Sequence, residues 1–410
     1  MERKRIWYSQ LRRIFTNENV KLGLLVIAIG VSVLIVFLLF FPNETPSVVI
    51  TTLMSATASF AGAYLSYGVV MRHIISTEQD RIAPPETIVD HYDDRLPMLK
   101  LVHLNKTVDT PIPERLPVFT LEEASGCEHK LTFSVNLTNN VYNIPASIRG
   151  FFDPYFEEIE SRFETEGKFN SRKARLDRVE GTNLHIGETT YFRSFCTNFA
   201  PDLILPNDGP TLREEFDHEF IRGDRIVRLG DSPFSNHLGG GGLLITADGF
   251  AILGFRTADV TVGEQVVGNS FGGNFEYKNV QTGANPEDEL LREATEEIKA
   301  FDKSSVRELI PLALIRRVDW LGKPDIHAIA FADELDNHTQ THEEFYDGVS
   351  VNLGIDQIES VDELFNVEVA RICVKRIATA ADQSAFEPSV NLLMILEFWL
   401  RVAENRSSVN

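Results

Sequence analysis

Three glutamates, Glu293, Glu296 and Glu297, have the types and spacing that best suit chemistry in this sequence. They lie in the stretch GANPEDELLREATEEIKAF, residues 283–301, and on a helix their spacing of i, i+3 and i+4 places the carboxylates on one side. Clustered carboxylates resist joint ionisation unless a cation compensates their charge, and hard divalent ions such as Mg²⁺ take oxygen ligands of this kind. The spacing therefore predicts either a divalent-metal site or a solvated acidic helix face.

Helix signals surround these glutamates. Asn285 is a favourable N-cap, and Pro286 suits the first helical position. Arg292 can pair with Glu296 one turn later, or it can orient a carboxylate that binds metal. Apolar residues recur at helical spacing and predict a buried stripe; they are Leu290, Ala294, Ile298 and Phe301.

Strand patterns lie on both sides of this helix. Before it, GGGGLLITADGFAILGFRTADV resembles a hairpin with an Ala-Asp-Gly turn, and SFGGNFEY follows. After it, IPLALIRRVDWLGKPDIHAIAFADEL shows a second two-strand pattern around LGKPD. Strand pairs on both sides of one helix predict an α/β layer, a mixed sheet with packed helices.

The helix and the glycine turn before it resemble the Nudix box, G-x5-E-x7-R-E-U-x-E-E-x-G-U, where U is apolar. The glycine pair Gly272-Gly273 resembles the start of the Nudix loop, and the R-E-U-x-E-E part matches in register at Arg292, Glu293, Ala294, Glu296 and Glu297. The resemblance implies a Nudix-like fold in which the three glutamates hold divalent metals that help to cleave a nucleoside diphosphate linked to another group. Glu297 is then the catalytic candidate.

The box departs from the family pattern at three places. Ala284 stands where the first box glutamate is expected, and Lys299 and Ala300 replace the final glycine and apolar residue. The loop between Gly273 and the helix is also several residues longer than in the common box. Because metal sites lose activity steeply when ligands or their supports change, these departures predict a degenerate box that binds without hydrolysis. No cofactor is then required, and Mg²⁺ belongs to the hydrolase alternative.

Residues near the glycine turn and on the following strands are candidates for ligand binding. Arginine clamps phosphate, a hydroxyl hydrogen bonds to it, and an aromatic ring stacks on a base. The candidates are Arg256, Ser270, Phe271, Gly272, Gly273, Tyr277, Arg316, Arg317 and Trp320. Each has a structural alternative: Ser270 can serve only the turn, Phe271 can belong to the core, and the arginines can pair with acidic surface groups. His327 is expected to be a packed strand residue, because it shares a strand face with Ile329 and Phe331.

Composition narrows the classes of function. The chain has 410 residues, of which 43% are hydrophobic, and its net charge of −21 argues against binding to DNA or RNA backbones. Its three cysteines, Cys127, Cys196 and Cys373, are far apart and lack metal or disulfide spacing, which suits a reducing compartment. The sequence contains no P-loop, dinucleotide-binding fingerprint or nucleophile motif.

Two uncharged segments near the N-terminus predict a transmembrane hairpin. Residues 22–41, LGLLVIAIGVSVLIVFLLFF, match the length that crosses a hydrocarbon core of about 30 Å, and residues 47–71 form a second uncharged run. Basic residues precede the first span and follow the second, whereas the connecting loop has none, so both termini are expected in the cytoplasm. Small residues spaced four apart in the second span predict close contacts between protomers or with the first span; they are Ser55, Ala58, Ser59, Gly62, Ala63 and Ser66.

The predicted organisation is a basic cytoplasmic N-terminus at 1–21, spans at 22–41 and 47–71, a connector at 72–118, and a Nudix-like domain at 119–410 with its core near 238–335. This architecture resembles that of bacterial CBASS antiphage effectors, which join two transmembrane helices to a Nudix-type sensor. The resemblance implies that a cyclic oligonucleotide binds the cytoplasmic domain, that the protein forms homo-oligomers in the inner membrane, and that the lipid bilayer is damaged. The alternatives are a membrane-anchored Mg²⁺-dependent Nudix hydrolase and a scaffold that binds only protein.

Overall fold

The computed structural model describes residues 83–92, 94–124, 130–153, 155–166, 170–205, 209–256, 266–298, 301–335, 346–384 and 387–408. The chain divides into two compact units, Met1–Thr77 and Glu78–Asn410, and all described residues belong to the second. The basic N-terminus, the two predicted spans and their small-residue stripe lie outside the described residues. Within the described ranges, no helix combines the length and the apolar character that a membrane crossing requires.

The first half of the described chain contains short helices and a small sheet. Its elements are α1 (Pro85–Tyr92), β1 (Leu99–Lys100), α2 (Val102–Thr107), β2 (Arg115–Leu116), β3 (Val118–Glu123), β4 (Ser134–Val141), α3 (Ala146–Phe151), α4 (Phe156–Glu166), β5 (Arg172–Glu180), β6 (Asn183–Thr190), α5 (Tyr191–Phe195), α6 (Leu212–Phe220), β7 (Ile221–Arg222) and β8 (Arg225–Ile226).

The second half contains most of the main sheet and three long helices. Its elements are β9 (Gly239–Thr246), β10 (Phe250–Arg256), β11 (Val266–Gly268), β12 (Phe271–Asn274), α7 (Tyr277–Gln281), α8 (Pro286–Glu297), β13 (Val306–Arg317), β14 (Lys323–Ala332), β15 (Tyr346–Asn352), α9 (Val361–Leu364), α10 (Val367–Gln383), β16 (Glu387–Pro388) and α11 (Val390–Ser407).

The main sheet has nine strands and is mixed. Its order is β16-β11-β10-β9-β14-β13-β3, while β12 pairs with β9 and β15 pairs with β10. The two predicted hairpins are present as β9–β10 and β13–β14, whose strands pair antiparallel, whereas β14 lies parallel to β9. The expected mixed α/β sheet with packed helices is therefore confirmed.

Helices cover both faces of this sheet, and all ten residues of β14 are buried. A Cβ built on Gly240 would lie 2.8 Å from Leu290 of α8, so α8 packs on the face to which Gly240 belongs. Arg317 hydrogen bonds to Asn391 of α11 and lies in register with Lys323, on the opposite face. Neighbouring strand residues alternate in direction, which places α8 and α11 on opposite sides of the sheet.

The segment before β3 belongs to the folded unit. Residues 83–118, which the sequence assigns to a connector, include α1, β1, α2 and β2. Tyr92, Leu101 and Leu104 are fully buried there. The backbone N–H groups of His103 and Leu104, at the start of α2, donate to the buried carboxylate of Glu397 on α11. This part of the chain therefore contributes to the core rather than linking two bodies.

A second sheet of three strands, β4-β6-β5, joins the main sheet through β5. β4 lies parallel to β6, and β5 lies antiparallel to it. The backbone of Ala174 in β5 donates to Phe275 and accepts from Leu238, both next to the glycine-rich strands of the main sheet. The three-strand sheet β4-β6-β5 therefore lies beside the part of the main sheet where the predicted site residues lie.

Candidate functional site

Four consecutive glycines allow three elements to meet at one place. Gly239–Gly242 of β9 pair with Phe271–Asn274 of β12, so Gly272 and Gly273, predicted as a turn, instead lie in a strand opposite four glycines. A Cβ on Gly240 would lie 2.5 Å from the carbonyl oxygen of Ile326 and 2.8 Å from Leu290. A Cβ on Gly241 would lie 2.6 Å from the amide nitrogen of Asn269. The glycines are required because helix α8 and the loop before β12 approach the backbone this closely.

Helix α8 begins as the sequence predicts. The side chain of Asn285 accepts from the N–H of Asp288, and Asp288 accepts in return from the N–H of Asn285, which forms a complete capping box. Pro286 occupies the first turn, and Leu290 and Ala294 are fully buried. The helix ends at Glu297, so Glu296 and Glu297 lie at the end where the helix dipole disfavours anions.

Arg292 is the cation that compensates the carboxylates of α8. Its guanidinium donates to Glu289 at 3.2 Å, to Glu293 and to Glu296 at 2.7 Å. Glu293 is 8% exposed, and burial raises the pKa of its carboxyl although the charge of Arg292 opposes this. Burial by itself lowers the pKa of Arg292, but the negative charges of Glu293 and Glu289 raise it above the ordinary value. The acidic cluster is therefore an internally hydrogen-bonded network in which one cation serves three carboxylates.

Glu289 is a structural residue that the sequence analysis did not single out. Its side chain is 1% exposed and accepts from the N–H of Glu276 at 2.8 Å and from the amide of Asn279 at 2.7 Å. It thereby ties α8 to α7 and to the loop after β12. The available signal was its position three residues before Arg292, on the side of the helix that carries Glu293.

The three glutamates that match the Nudix box do not face a common ligand. Glu293 and Glu296 pair with Arg292, whereas Glu297 accepts the N–H of Gly272 at 2.7 Å. The side chain of Glu296 is 59% exposed. Among the described residues, no group of three or more His, Cys, Asp or Glu side chains is placed to hold a metal ion. As arranged here, the donor set does not fit a divalent metal.

A cleft of about 470 Å³ opens next to the glycine turn. Its walls come from the start of the described chain, the start of α5 and the loop after it, the β11–β12 segment, the β13–β14 hairpin and the start of α11. The lining residues that matter below are Ala83, Pro84, Pro85, Tyr191, Phe199, Asn269, Glu297, Arg317, Asp319, Trp320, Lys323, Asp325, His327 and Asn391.

Two buried ion pairs form part of the lining. Arg317 donates through two nitrogens to Asp319, with Nε at 2.8 Å from Oδ1, and Lys323 donates to Asp325. All four residues are between 2% and 6% exposed. Burial lowers the pKa of Lys323 and raises that of Asp325, while the charge of Asp319 keeps the pKa of Arg317 above its ordinary value despite burial. The two cations are each matched by a carboxylate, so the pairs add no net charge.

An aromatic group lies beside the ion pairs. The rings of Phe199 and Trp320 meet edge to face with centroids 5.1 Å apart, and Tyr191 lies 5.8 Å from Phe199. The guanidinium of Arg317 and the ammonium of Lys323 lie 4.8 Å and 5.3 Å from the centre of the Trp320 ring. Trp320 is partly exposed in the cleft, so this group offers an aromatic surface on which two cations already lie over the ring of Trp320.

His327 lies in the same lining and is 1% exposed. Neither of its ring nitrogens has a hydrogen-bond partner among the described residues. Burial, and then the charges of Arg317 and Lys323, lower its pKa well below the ordinary value, so the imidazole is neutral. The sequence predicts a packed strand histidine here, and the structure adds that it reaches the lining of the cleft.

The structure brings most of the sequence-predicted site residues together at this cleft, where they are Ser270, Phe271, Gly272, Gly273, Glu297, Arg317 and Trp320. Two of them have structural tasks. The hydroxyl of Ser270 accepts from the N–H of Leu244 at 2.6 Å and donates to the carbonyl of Ile252. Phe271 is 1% exposed and belongs to the core.

Two predicted ligand residues lie elsewhere, and one is undetermined. Tyr277 is buried, with the guanidinium of Arg172 stacked 5.0 Å from its ring centre. Arg316 points away from the cleft and donates to the carbonyls of Gly322 and Val227 at 2.9 Å and 2.5 Å. Burial without a carboxylate partner lowers its pKa to about 9. Arg256 ends β10, and its side chain lies outside the described part of the chain.

Comparison with known proteins gives only distant matches. No protein-family model and no curated protein matches the sequence significantly. DR0079 from Deinococcus radiodurans is a structural match with a TM-score of 0.25 and 14% identity, covering 39% of this chain and 80% of that chain. A bifunctional NMN adenylyltransferase/ADP ribose pyrophosphatase from Francisella tularensis, complexed with AMP and a Mn ion, gives 0.22 and 16% over 35% of this chain and 40% of its own.

A MutT/nudix family protein from Enterococcus faecalis gives a TM-score of 0.19 and 18% identity, covering 39% of this chain and 67% of that chain. Nudix proteins are thus among the structural neighbours. At these scores and identities the matches carry no conclusion about the substrate or the activity of this chain.

Proposed function

We propose that the described part of the chain is a Nudix-like domain that binds a nucleotide in the cleft without hydrolysing it. The observation that carries this proposal is the state of the box carboxylates: Arg292 and the N–H of Gly272 already occupy them. The adjacent cleft, in contrast, is open and is lined by aromatic and hydrogen-bonding groups. A ligand cleft beside carboxylates that are already paired is suited to sensing.

The charge of the cleft favours one class of nucleotide. Arg317 and Lys323 are each paired with a carboxylate, and Glu297 adds a negative charge at the lining. Adjacent phosphates of a nucleoside diphosphate place two or more charges together, which this lining does not compensate. A cyclic oligonucleotide carries about one charge per nucleotide, and its bases can stack on Trp320 and Phe199 for about 1–3 kcal/mol each. A cyclic di- or trinucleotide is therefore the better fit.

The first described residues of the chain lie in the lining of the cleft. Ala83, Pro84 and Pro85 line the cleft, and residues 72–82 separate them from the predicted second span. The N–H of Ala83 donates to Asp202 at 2.7 Å, and Asp202 pairs with the buried Arg213 at 2.7 Å.

Arg213 continues this network to the ion pairs of the cleft. Its guanidinium donates to the carbonyls of Val318 and Asp319 at 3.0 Å and 2.6 Å. The carboxylate of Asp319 in turn holds Arg317. A ligand that alters the Arg317–Asp319 pair would therefore act on the segment that leads to the predicted spans, provided it binds one arrangement better than another.

The network from the cleft to Ala83, together with the resemblance to antiphage effectors, supports a proposal for the whole chain. In this proposal the chain is a two-pass protein of the bacterial inner membrane whose sensor domain binds a cyclic oligonucleotide. Binding drives homo-oligomerisation through the small residues of the second span and damages the bilayer. Many weak contacts between clustered spans gain strength from avidity.

The test uses the full-length chain in detergent micelles and a panel of cyclic di- and trinucleotides. Calorimetric titrations with and without Mg²⁺ measure binding, and chromatography of the nucleotides afterwards measures cleavage. We expect saturable binding in both conditions, with the ligand recovered intact. His218→Ala serves as a control because that side chain is 76% exposed and outside the cleft. Absence of binding by the whole panel would refute the proposal. For any ligand that binds, leakage is measured with dye-filled liposomes that contain the protein.

One observation favours a second function, a Mg²⁺-dependent hydrolase of a nucleoside diphosphate derivative. Glu297 lies in the lining of the cleft beside the glycine turn, where the Nudix resemblance places the catalytic candidate. This function predicts release of a nucleoside monophosphate from nucleotide sugars that requires Mg²⁺ and disappears in Glu297→Gln. Persistence of the same release in Glu297→Gln would exclude that role for the residue.

A further inference from the structure

His327 has hydrogen-bonding capacity that the fold leaves unused. It is 1% exposed on β14, between Gly241 of β9 and Ala313 of β13 in the sheet register. Within the described ranges, neither ring nitrogen meets a donor or acceptor. Its strand neighbours on the same face, Ile329 and Phe331, are apolar and buried.

The unpaired imidazole of His327 destabilises the folded state, so stability does not explain its presence. A buried polar group without a partner destabilises the folded state, whereas an apolar side chain of similar size would not do so in this way. The position otherwise suits leucine, because the strand continues into the apolar core. A polar residue that weakens the fold at a cleft is the arrangement expected where a ligand supplies the missing partner.

The neighbours of His327 indicate which part of a ligand reaches it. Lys323 and Asp325 precede it on the same face of β14, and Arg317 lies opposite Lys323 on β13. A neutral imidazole offers one N–H donor and one acceptor nitrogen. Phosphate oxygens only accept, so they satisfy one nitrogen and leave the other unpaired. The edge of a nucleobase carries both donors and acceptors, and Trp320 lies in the same lining as a surface for stacking.

We propose that His327 is a ligand-binding residue that hydrogen bonds to the edge of a nucleobase stacked on Trp320, so that the cleft selects its ligand by base. This inference rests on the proposed nucleotide-binding function and adds the recognising group. Lys323 and Arg317 then hold the sugar-phosphate part beside the base, using the N–H groups that Asp325, Asp319 and Asn391 do not occupy.

The experiment compares full-length wild-type protein with His327→Leu, His327→Gln and the exposed control His218→Leu. Dissociation constants are measured for cyclic dinucleotides that carry guanine, adenine or uracil, and for inorganic phosphate. Unfolding temperature is measured on the same samples without ligand. The glutamine variant keeps one donor and one acceptor, whereas leucine keeps neither.

For His327→Leu we expect a higher unfolding temperature and about tenfold weaker binding of the preferred cyclic dinucleotide, the loss that one hydrogen bond explains. The preference among bases should shrink, phosphate affinity should not change, and His327→Gln should retain part of the wild-type affinity. A purely structural histidine gives the opposite result: lower stability in His327→Leu with unchanged base preference. An equal loss for phosphate and for every base also overturns the inference.

The two proposals fail in different ways. If the wild-type chain binds none of the cyclic dinucleotides, both the proposed function and the role of His327 are wrong. If wild-type binding is clear and His327→Leu binds with the same affinity and the same base preference, only the role of His327 is wrong.

Discussion

The acidic helix α8 and the β13–β14 hairpin differ in how their buried polar side chains are paired. On α8, Arg292 serves three carboxylates, and Glu289 is 1% exposed with three different partners. On the hairpin, Arg317 and Lys323 are paired, but the neighbouring His327 has no partner in the described part of the chain. The three carboxylates bound to Arg292 each have a partner within the fold, whereas both ring nitrogens of His327 lack one among the described residues.

This difference separates a family motif from a functional site. The motif residues of α8 hold the helix, the glycine turn and α7 together, and that task alone explains why a cluster of carboxylates is buried there. The hairpin residues lie in the lining of a cleft and keep free hydrogen-bonding capacity. Buried polar groups are normally satisfied, so an unsatisfied one beside a cleft is the stronger indication of a ligand.

The largest expected effect comes from removing the cation of the acidic helix. Arg292→Ala leaves Glu289 and Glu293 buried without compensation, and we expect the free energy of unfolding to fall by about 3 kcal/mol. Chemical denaturation of the full-length chain measures this. The control is Arg371→Ala on α10, which removes two ion pairs of an arginine that is 45% exposed and should cost less than about 1 kcal/mol.

Adding Mg²⁺ to Arg292→Ala provides a second test of this prediction. If α8 is only a structural network, millimolar Mg²⁺ should not restore the stability of Arg292→Ala, because Glu289 and Glu297 stay bound to the N–H groups of Glu276 and Gly272. Glu293→Gln in the same variant should restore part of it by removing the uncompensated charge. Recovery with Mg²⁺ instead would show that the glutamates can still gather around a metal, and the contrast between the two regions would disappear.

A smaller effect is expected at Gly240, where the two regions meet. In Gly240→Ala the new methyl group would lie 2.5 Å from the carbonyl oxygen of Ile326, a backbone atom that cannot move alone, and 2.8 Å from Leu290. We expect a loss of about 2 kcal/mol in unfolding free energy, together with weaker nucleotide binding because Gly240 also lines the cleft. Urea denaturation and calorimetry measure the two quantities.

The matched control is Gly150→Ala in α3, where no atom lies within 4 Å of the new Cβ. Alanine in a helix should stabilise the protein by about 0.5–1 kcal/mol. An equal loss at both positions would mean that the glycines of β9 are not required for close packing.

Sequence periodicity was sufficient for the local structure around the site. The cap at Asn285, the buried stripe of α8 and the two hairpins follow from spacing and turn residues, because these depend on nearby positions. The partners of Glu297 and Glu289 could not be predicted in this way. They depend on the glycine strand bringing the loop before α7 against the helix, which is a tertiary contact.

The cleft residues were harder to predict for a related reason. Tyr191 and Phe199 lie more than a hundred residues before Trp320, and no local pattern connects them. Lys323 and Asp325 did carry a signal, since charged residues alternate in an otherwise apolar strand.

The smallest expected effect concerns pH and again compares wild-type protein with His327→Leu. Burial, with the charges of Arg317 and Lys323, lowers the pKa of His327 in the folded state well below 6.5. Below pH 6.5 the unfolded chain therefore binds more protons at this residue than the folded protein does. The free energy of unfolding is unaffected by His327 titration above that pH and decreases as the pH falls below it. Between pH 7 and 5.5 the advantage of His327→Leu should therefore grow by about 1 kcal/mol.

Urea denaturation at several pH values measures this difference. His237, whose pKa burial also lowers, and the carboxyls of Glu293 and Asp325, whose pKa values burial raises, titrate in both proteins. Their contributions cancel to first order in the comparison, which leaves that of His327. A difference that stays constant with pH would mean that His327 takes up a proton in the folded state as easily as in the unfolded one. His327 would then be as well satisfied as the carboxylates bound to Arg292, and its partner would have to come from solvent rather than from a ligand.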